Sequence, residues 1–239
     1  MSSTTPTPPP SSLTERRKTE TRMEIARAAA GLFVRHGLRA TRAEDIAQAA
    51  GIAPRTFYRY FATKEEAVAP LYATGARRWV EAVRAAPADA GVLHALEQGV
   101  RHTLTPGVGV SASSWEWVRT LLRLAEATPS LRRVWAEVCQ ASERLLGEVL
   151  AERVTRVGVP GADGVPDVSG EGRDNVAATH DPAPAETPEL RFAAAVASAA
   201  VRAALEAWAA GDGPVEGPDG PAELALRNLT ALRDFPWGP

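Results

Sequence analysis

Between Thr41 and Lys64 the chain reads TRAEDIAQAAGIAPRTFYRYFATK, and this run leaves few choices of local fold. Thr41 and Glu44 have the spacing of a capping box, in which a hydroxyl takes an orphan amide at a helix start and the acid three residues on reaches back. Ile46, Ala47 and Ala50 supply the apolar stripe of the short helix behind that cap. Gly51 ends it, because glycine enters the left-handed backbone region without steric cost. Pro54 then falls in the first turn of a second short helix, where its missing N–H costs nothing. In the segment from Arg55 to Phe61, Phe57 and Phe61 are spaced i, i+4 for a core. Arg55, Thr56, Tyr58, Arg59 and Tyr60 are left for solvent or a partner. Thr63 with Glu66 repeats the capping pattern, so a further helix is expected from Lys64 to about Ala86, ahead of Pro87.

Two short helices joined by a glycine turn, the second dense in Arg and Tyr, suit the major groove of double-stranded DNA. Arg reads the guanine edge in a bidentate way, and Thr and Tyr hydroxyls bond phosphates. The set Thr41, Ile46-Ala47, Ala50-Gly51, Phe57-Tyr58-Arg59-Tyr60-Phe61 and Lys64 resembles, in register, the DNA-binding region of the TetR family of bacterial regulators. The likeness extends from about Thr14 to Trp79. Two positions depart from the family pattern: Ala53 stands where Ser or Thr often precedes the recognition helix, and Arg42 where a second Thr often follows the first. Arg42 offers a charged phosphate contact in exchange. The positions around the second helix assign DNA contact to Thr41, Arg42, Pro54, Arg55, Thr56, Tyr58, Arg59, Tyr60 and Lys64. Arg55 and Tyr60 are expected at base edges; Thr41, Arg42, Thr56, Tyr58 and Lys64 are expected mainly on phosphates.

Charge distribution agrees with a polyanionic partner at one end. From Leu13 to Lys64 there are eleven Lys and Arg against five Asp and Glu, while the whole chain has 27 against 29. The N-terminal part therefore carries an excess of six positive charges on a body that is net acidic. Chance asymmetry of solvated helix faces is the alternative. Abundant Ala and few aromatics favour helices. The single cysteine, Cys139, allows no disulfide within the chain and points to a reducing compartment. No run of 18 apolar residues and no basic-then-apolar leader is evident, so a cytoplasmic protein without a membrane span is expected.

An enzyme is not expected, because the inventory fails. The histidines His36, His94, His102 and His180 lack metal-ligand spacing, so no metal and no cofactor is expected. Neither a glycine-rich phosphate loop nor a serine elbow occurs. Cys139 lies one turn after Trp135 on an apolar helix side and reads as a small buried hydrophobe.

The remaining chain reads as helices and connectors. Residues 1–12 are nearly all Ser, Thr and Pro and are expected to be a disordered arm. Arg16, Arg17 and Lys18 follow it, and either track a phosphate backbone or open a solvated helix. A first helix should run from about Thr14 to His36, with Ile25, Ala29, Leu32 and Phe33 inside and Gly37 ending it. Later helices are expected over about 89–104, from Ser113 to about Ala127, and from Pro129 to about Arg153. In the second of these Trp117, Leu121 and Leu124 form the stripe. In the third the stripe is Leu131, Val134, Trp135, Val138, Leu145, Leu146 and Val149. Residues 157–187, rich in Gly, Pro and Asp, read as a flexible insertion. Thr187-Pro188-Glu189 then starts a helix to about Ala210, and Pro221 starts another to about Arg233.

The fold expected is all-α: a three-helix helix-turn-helix domain over 13–80 and a larger helical body over 81–239, about nine helices altogether. The resemblance implies a DNA-binding transcriptional regulator, dimeric and responsive to a ligand, read first as a repressor, with an activator of the same fold as the alternative. A small-molecule carrier or enzyme with a vestigial helix-turn-helix is the alternative from another class. Trp79, Trp117, Leu121, Trp135 and Cys139 either line an effector cavity or are plain core. The resemblance favours a cavity for a largely apolar effector. A homodimer reading a palindromic operator is expected to meet through Ala195, Ala199, Ala203 and Ala207, a ridge of small residues four apart, together with Leu226 and Leu229. The ridge could equally face the protomer's own core.

Overall fold

The structure is a computed structural model that describes residues 13–107, 114–157 and 187–237. Among the described residues there are nine α-helices, one 3-10 turn and no strand. The helices are α1 (Leu13–Ala40), α2 (Ala43–Ala49), α3 (Pro54–Tyr60), α4 (Ala69–Ala85), α5 (Val92–Leu104), α6 (Trp115–Ala127), α7 (Pro129–Val157), α8 (Pro188–Ala210) and α9 (Pro221–Ala231), with the 3-10 turn at Glu66–Val68. The all-α expectation holds. The arm at 1–12 and nearly all of the 157–187 insertion lie outside the described residues.

The packing forms two compact units, and the divisions fall after Ala76, inside α4, and after Val138, inside α7. The first unit contains α1 to α3, the 3-10 turn, the start of α4, α6 and the start of α7. There α1 packs against α2, against the 3-10 turn and against α6, and α2 packs against α3. Its core is Ile25, Ala26, Ala29, Ala30 and Phe33 of α1, Ile46 and Ala47 of α2, and Phe57, Phe61 and Val68. Leu32, placed in the buried stripe from sequence, is only half-buried. Burying each large side chain is worth about 1.5–3 kcal/mol, so Phe57 and Phe61 anchor α3 firmly. Gly37 does interrupt α1, with φ 77° and ψ 161°, but helical hydrogen bonding resumes to Ala40.

Helix α4 begins five residues later than Lys64. Pro70 explains this: it has no N–H to give to the Glu66 carbonyl, so α-helical bonding cannot pass through it and a 3-10 turn precedes it. The buried face of α6 is also rotated from the one expected. Trp115, Leu121, Leu122 and Ala125 are buried, whereas Trp117 is 38% exposed and Leu124 half-buried. The expected start at Ser113 lies outside the described residues.

In the second unit α9 packs against α8 and α5. Helix α5 starts at Val92 rather than Asp89, and α7 continues to Val157. Along α7 the expected stripe is buried except at Trp135, half-buried, and Leu145, which is exposed. Ser142 and Arg153 are buried in its place, which apolar periodicity has no means to show. Helix α8 starts as expected: the Thr187 hydroxyl accepts from the Leu190 N–H at 3.3 Å, with Pro188 behind it. It buries Leu190, Ala193, Ala194, Ala197, Val201, Ala204 and Trp208. By length and composition alone α8 could cross a membrane, but Glu189, Arg191, Arg202 and Glu206 interrupt it, so it holds no run of 18 apolar residues. Its buried face against α9 is that of a core helix in a globular unit.

Gly99 marks a close approach of α5 to α4. A Cβ there would lie 2.7 Å from Val83 Cγ2 and 3.2 Å from Trp79 Cδ1. Val83 is stiff at χ1 in a helix and cannot swing away. Gly99→Val should therefore lower stability by about 2 kcal/mol through overpacking, read as a fall in urea midpoint at unchanged slope. An unchanged midpoint would mean that α4 and α5 can separate freely.

Candidate DNA interface

The turn between α2 and α3 forms as the residues dictate. Gly51 adopts φ 67°, and the Ile52 N–H reaches the Ala47 carbonyl at 2.9 Å. Pro54 opens α3, and Phe57 and Phe61 stack at 5.8 Å on the inner side. The opposite side presents Pro54, Arg55, Tyr58 and Arg59 to solvent, with Thr56 and Tyr60 half-buried between the two. Arg59 lies over the Tyr60 ring, 5.4 Å from its centroid. Arg42 is exposed at the start of α2. Six of the nine residues assigned to DNA from sequence thus share one region of α3, and Arg42 lies at the start of the neighbouring helix.

Two of the nine are placed otherwise. Thr41 is 2% exposed, and its hydroxyl donates to the Gly37 carbonyl at 2.9 Å. It closes the α1–α2 connection and has no hydroxyl free for a phosphate. The expected Thr41–Glu44 capping box is therefore corrected by one residue. The N-cap is Arg42, and Asp45 accepts its backbone N–H at 2.8 Å. The usual signature starts from a hydroxyl residue, so a cap at Arg42 escapes a reading by type. Lys64 is the second case. Its Nζ donates to the carbonyls of Leu38, at 2.7 Å, and Thr41, at 2.8 Å. The Thr63 hydroxyl does accept the Glu66 N–H, at 3.3 Å, while Glu66 reaches back to the N–H of Ala62 instead of Thr63.

Residues that the sequence reading left out hold this face in place. Arg22 of α1 donates to the Tyr60 carbonyl at 3.3 Å and covers the Phe61 ring at 4.8 Å, so α1 grips the end of α3. Tyr58 donates to Glu44 Oε1 at 3.3 Å. Partial desolvation, then the Glu44 charge, then this hydrogen bond push the Tyr58 phenol above its ordinary pKa, which keeps it a proton donor. Arg16, Arg17 and Lys18 are exposed along the first turns of α1.

The five residues expected to line an effector cavity are divided between the units. In the first, Tyr72 stacks on Trp135 at 5.1 Å and donates to the Leu121 carbonyl at 3.0 Å. Trp117 rests its ring against Gly31 of α1, where a Cβ would sit 3.3 Å from it. In the second, Trp79 is buried beside Gly99. Cys139 lies near Arg202 and Glu206 of α8, and burial pushes its thiol up to about 12, which suits the inert role read from sequence. Of the residues expected at a dimer contact, Ala199, Ala203 and Ala207 are exposed and Ala195 is half-buried. Leu226 and Leu229 are corrected: at 7% and 0% exposure they fill the protomer's own core and leave almost no surface for a partner. Among the described residues no His, Cys, Asp and Glu group could hold a metal.

Comparison with known proteins agrees with this geometry. Residues 25–69 match the family model described as bacterial regulatory proteins, tetR family. The HTH-type transcriptional regulator TcmR of Streptomyces glaucescens is 34% identical over 157 residues, covering 63% of this chain and 68% of that protein. A solved TetR-family transcriptional regulator from Rhodococcus sp. shares the fold at TM-score 0.50 and 16% identity, over 92% of this chain and 100% of that one. Another, from Mesorhizobium loti, aligns at TM-score 0.49 and 17% identity over 90% and 96%. With a helix-turn-helix whose outward face is basic and aromatic, and a relative that matches well beyond it, the chain belongs to the TetR family of bacterial DNA-binding transcriptional regulators.

Proposed function

We propose that the protein is a homodimeric repressor that holds a palindromic operator in the cytoplasm and is released by a small, largely apolar effector. In functional terms, 13–80 meets DNA and 81–239 serves effector binding and dimerisation. The observation that carries the reading is the division of α3. Phe57 and Phe61 are fully committed to the core, so Arg55, Tyr58 and Arg59 stand outward on a rigid helix. Arg55 and Tyr60 read base edges; Arg42, Thr56 and Tyr58 hold phosphates, with Pro54 at the exposed start of the helix.

One recognition helix covers few base pairs, and two of them roughly 34–36 Å apart read a palindrome. The exposed Ala199, Ala203 and Ala207 on α8 support a close helix contact across a two-fold axis. Release requires that the effector bind better to a shape in which the two recognition helices no longer match the groove. Nearly complete release needs a preference of about 5.5 kcal/mol. Trp135, edge-on to Tyr72, and the partly exposed Trp117 of the same unit supply aromatic surface that favours an apolar effector over a polar one.

A duplex selected from a random library, titrated by fluorescence anisotropy, tests the reading. Two chains should bind each duplex, and lipophilic compounds that quench Trp fluorescence should release it. Arg55→Ala should cost about 1–3 kcal/mol and relax preference at one operator position. A single chain per duplex, or an Arg55→Ala protein with unchanged affinity and base preference, would sink it.

A further inference from the structure

The helix-turn-helix carries only two carboxylates, Glu44 and Asp45; every other charged residue from Thr41 to Lys64 is basic. Asp45 is accounted for, because it accepts the backbone N–H at the start of α2. Glu44 is not needed for that cap. It is exposed, and its Oε1 lies 3.3 Å from the Tyr58 hydroxyl on the outward face of α3. A carboxylate only accepts, so the phenol is the donor, and a phenol has one proton to give. The O–H that the interface offers a phosphate oxygen is therefore already engaged by an anion fixed to the adjacent helix. Tyr58 itself is 53% exposed, so a phosphate can approach it without rearranging the core.

From this geometry we propose that Glu44 is an internal competitor for DNA phosphate: its carboxylate holds the Tyr58 hydroxyl in the free protein and must give it up when a duplex binds. The inference rests on Tyr58 being a phosphate contact. Because phosphates carry no sequence information, the exchange lowers affinity for every duplex alike and leaves the ratio of specific to non-specific binding unchanged. It restrains a basic surface that would otherwise hold any DNA.

The test uses the full chain as Glu44→Gln, Tyr58→Phe and the double variant. Each is titrated with the selected duplex and with an unrelated duplex of equal length. Glutamine keeps an acceptor and the helix preference while removing the charge. Glu44→Gln should bind both duplexes roughly fivefold tighter, about the margin by which a hydrogen bond to a charged acceptor is harder to give up than one to a neutral acceptor. In the Tyr58→Phe background the gain should fall by at least half. Equal or weaker binding by Glu44→Gln overturns the proposal and makes Glu44 a support for Tyr58. A gain confined to the selected duplex, or one of full size without the Tyr58 hydroxyl, overturns it as well. If the double variant binds both duplexes as tightly as Glu44→Gln does, the hydroxyl makes no phosphate contact and the inference falls with it. A wild-type chain that binds neither duplex would instead overturn the DNA-binding reading.

Discussion

Arg153→Met should lower the stability of the protein by about 2–4 kcal/mol, because it takes the donor from buried backbone carbonyls, at about 1–3 kcal/mol for each one left unsatisfied. Arg153 is 3% exposed near the end of α7. One guanidinium nitrogen donates to the carbonyls of Val83, at 3.3 Å, and Ala86, at 2.9 Å; the other donates to Pro87, at 2.7 Å, and Ala90, at 2.9 Å. These carbonyls end α4 or follow it, where the peptide dipoles collect negative charge; those of Val83 and Pro87 also accept the N–H groups of Ala86 and Ala90, at 3.3 and 3.1 Å. A planar fork can serve four acceptors in fixed directions; an ammonium is a point charge with three donors. Arg153→Lys should thus recover only part of the loss. In thermal unfolding the Met variant should melt about 10 °C lower, at 2–4 °C per kcal/mol for a chain of this size. A loss under about 1 kcal/mol would show that water replaces the guanidinium at little cost.

Lys64→Met should weaken binding to every operator variant and also destabilise the first unit. Its two bonds, to the carbonyls of Leu38 and Thr41, tie the end of α3 to the connection between α1 and α2. The Thr41 hydroxyl closes the same connection onto Gly37. Removing the ammonium leaves two carbonyls without a donor, and hydrogen bonds from a charged group are worth about 1.5–3 kcal/mol each. Because the connection is partly open to water, the expected loss is about 2–3 kcal/mol in all. The salt dependence of operator affinity separates this role from a phosphate contact. A phosphate ligand contributes about one unit to the slope of log affinity against log salt; a positioning residue contributes none. Unchanged slope with a lower unfolding midpoint is the expected result. A slope reduced by one at unchanged stability would restore Lys64 to the phosphate.

The sequence alone determined the helix-turn-helix, because its signals are local. Gly51 needs the left-handed region, Pro54 needs a first turn, and Phe57 with Phe61 share a helix face whatever packs on it. Those constraints divide α3 into a buried and an outward side before any tertiary contact forms, which is why Arg55, Tyr58 and Arg59 were legible. The same holds for the Thr187-Pro188 start of α8. Only the tertiary structure decided what depends on partners distant in sequence. Lys64 is 26 residues from Leu38, and Arg153 is 70 from Val83; a basic residue near DNA or at the end of an amphipathic helix looks the same whether it meets a phosphate, water or a carbonyl. Leu226 and Leu229 show the matching limit for apolar groups, since periodicity marks a face as apolar without saying whether the protomer or its partner covers it. Burial and hydrogen-bond direction are properties of the assembled core, and they assigned Thr41, Lys64, Arg153 and Glu44 their places.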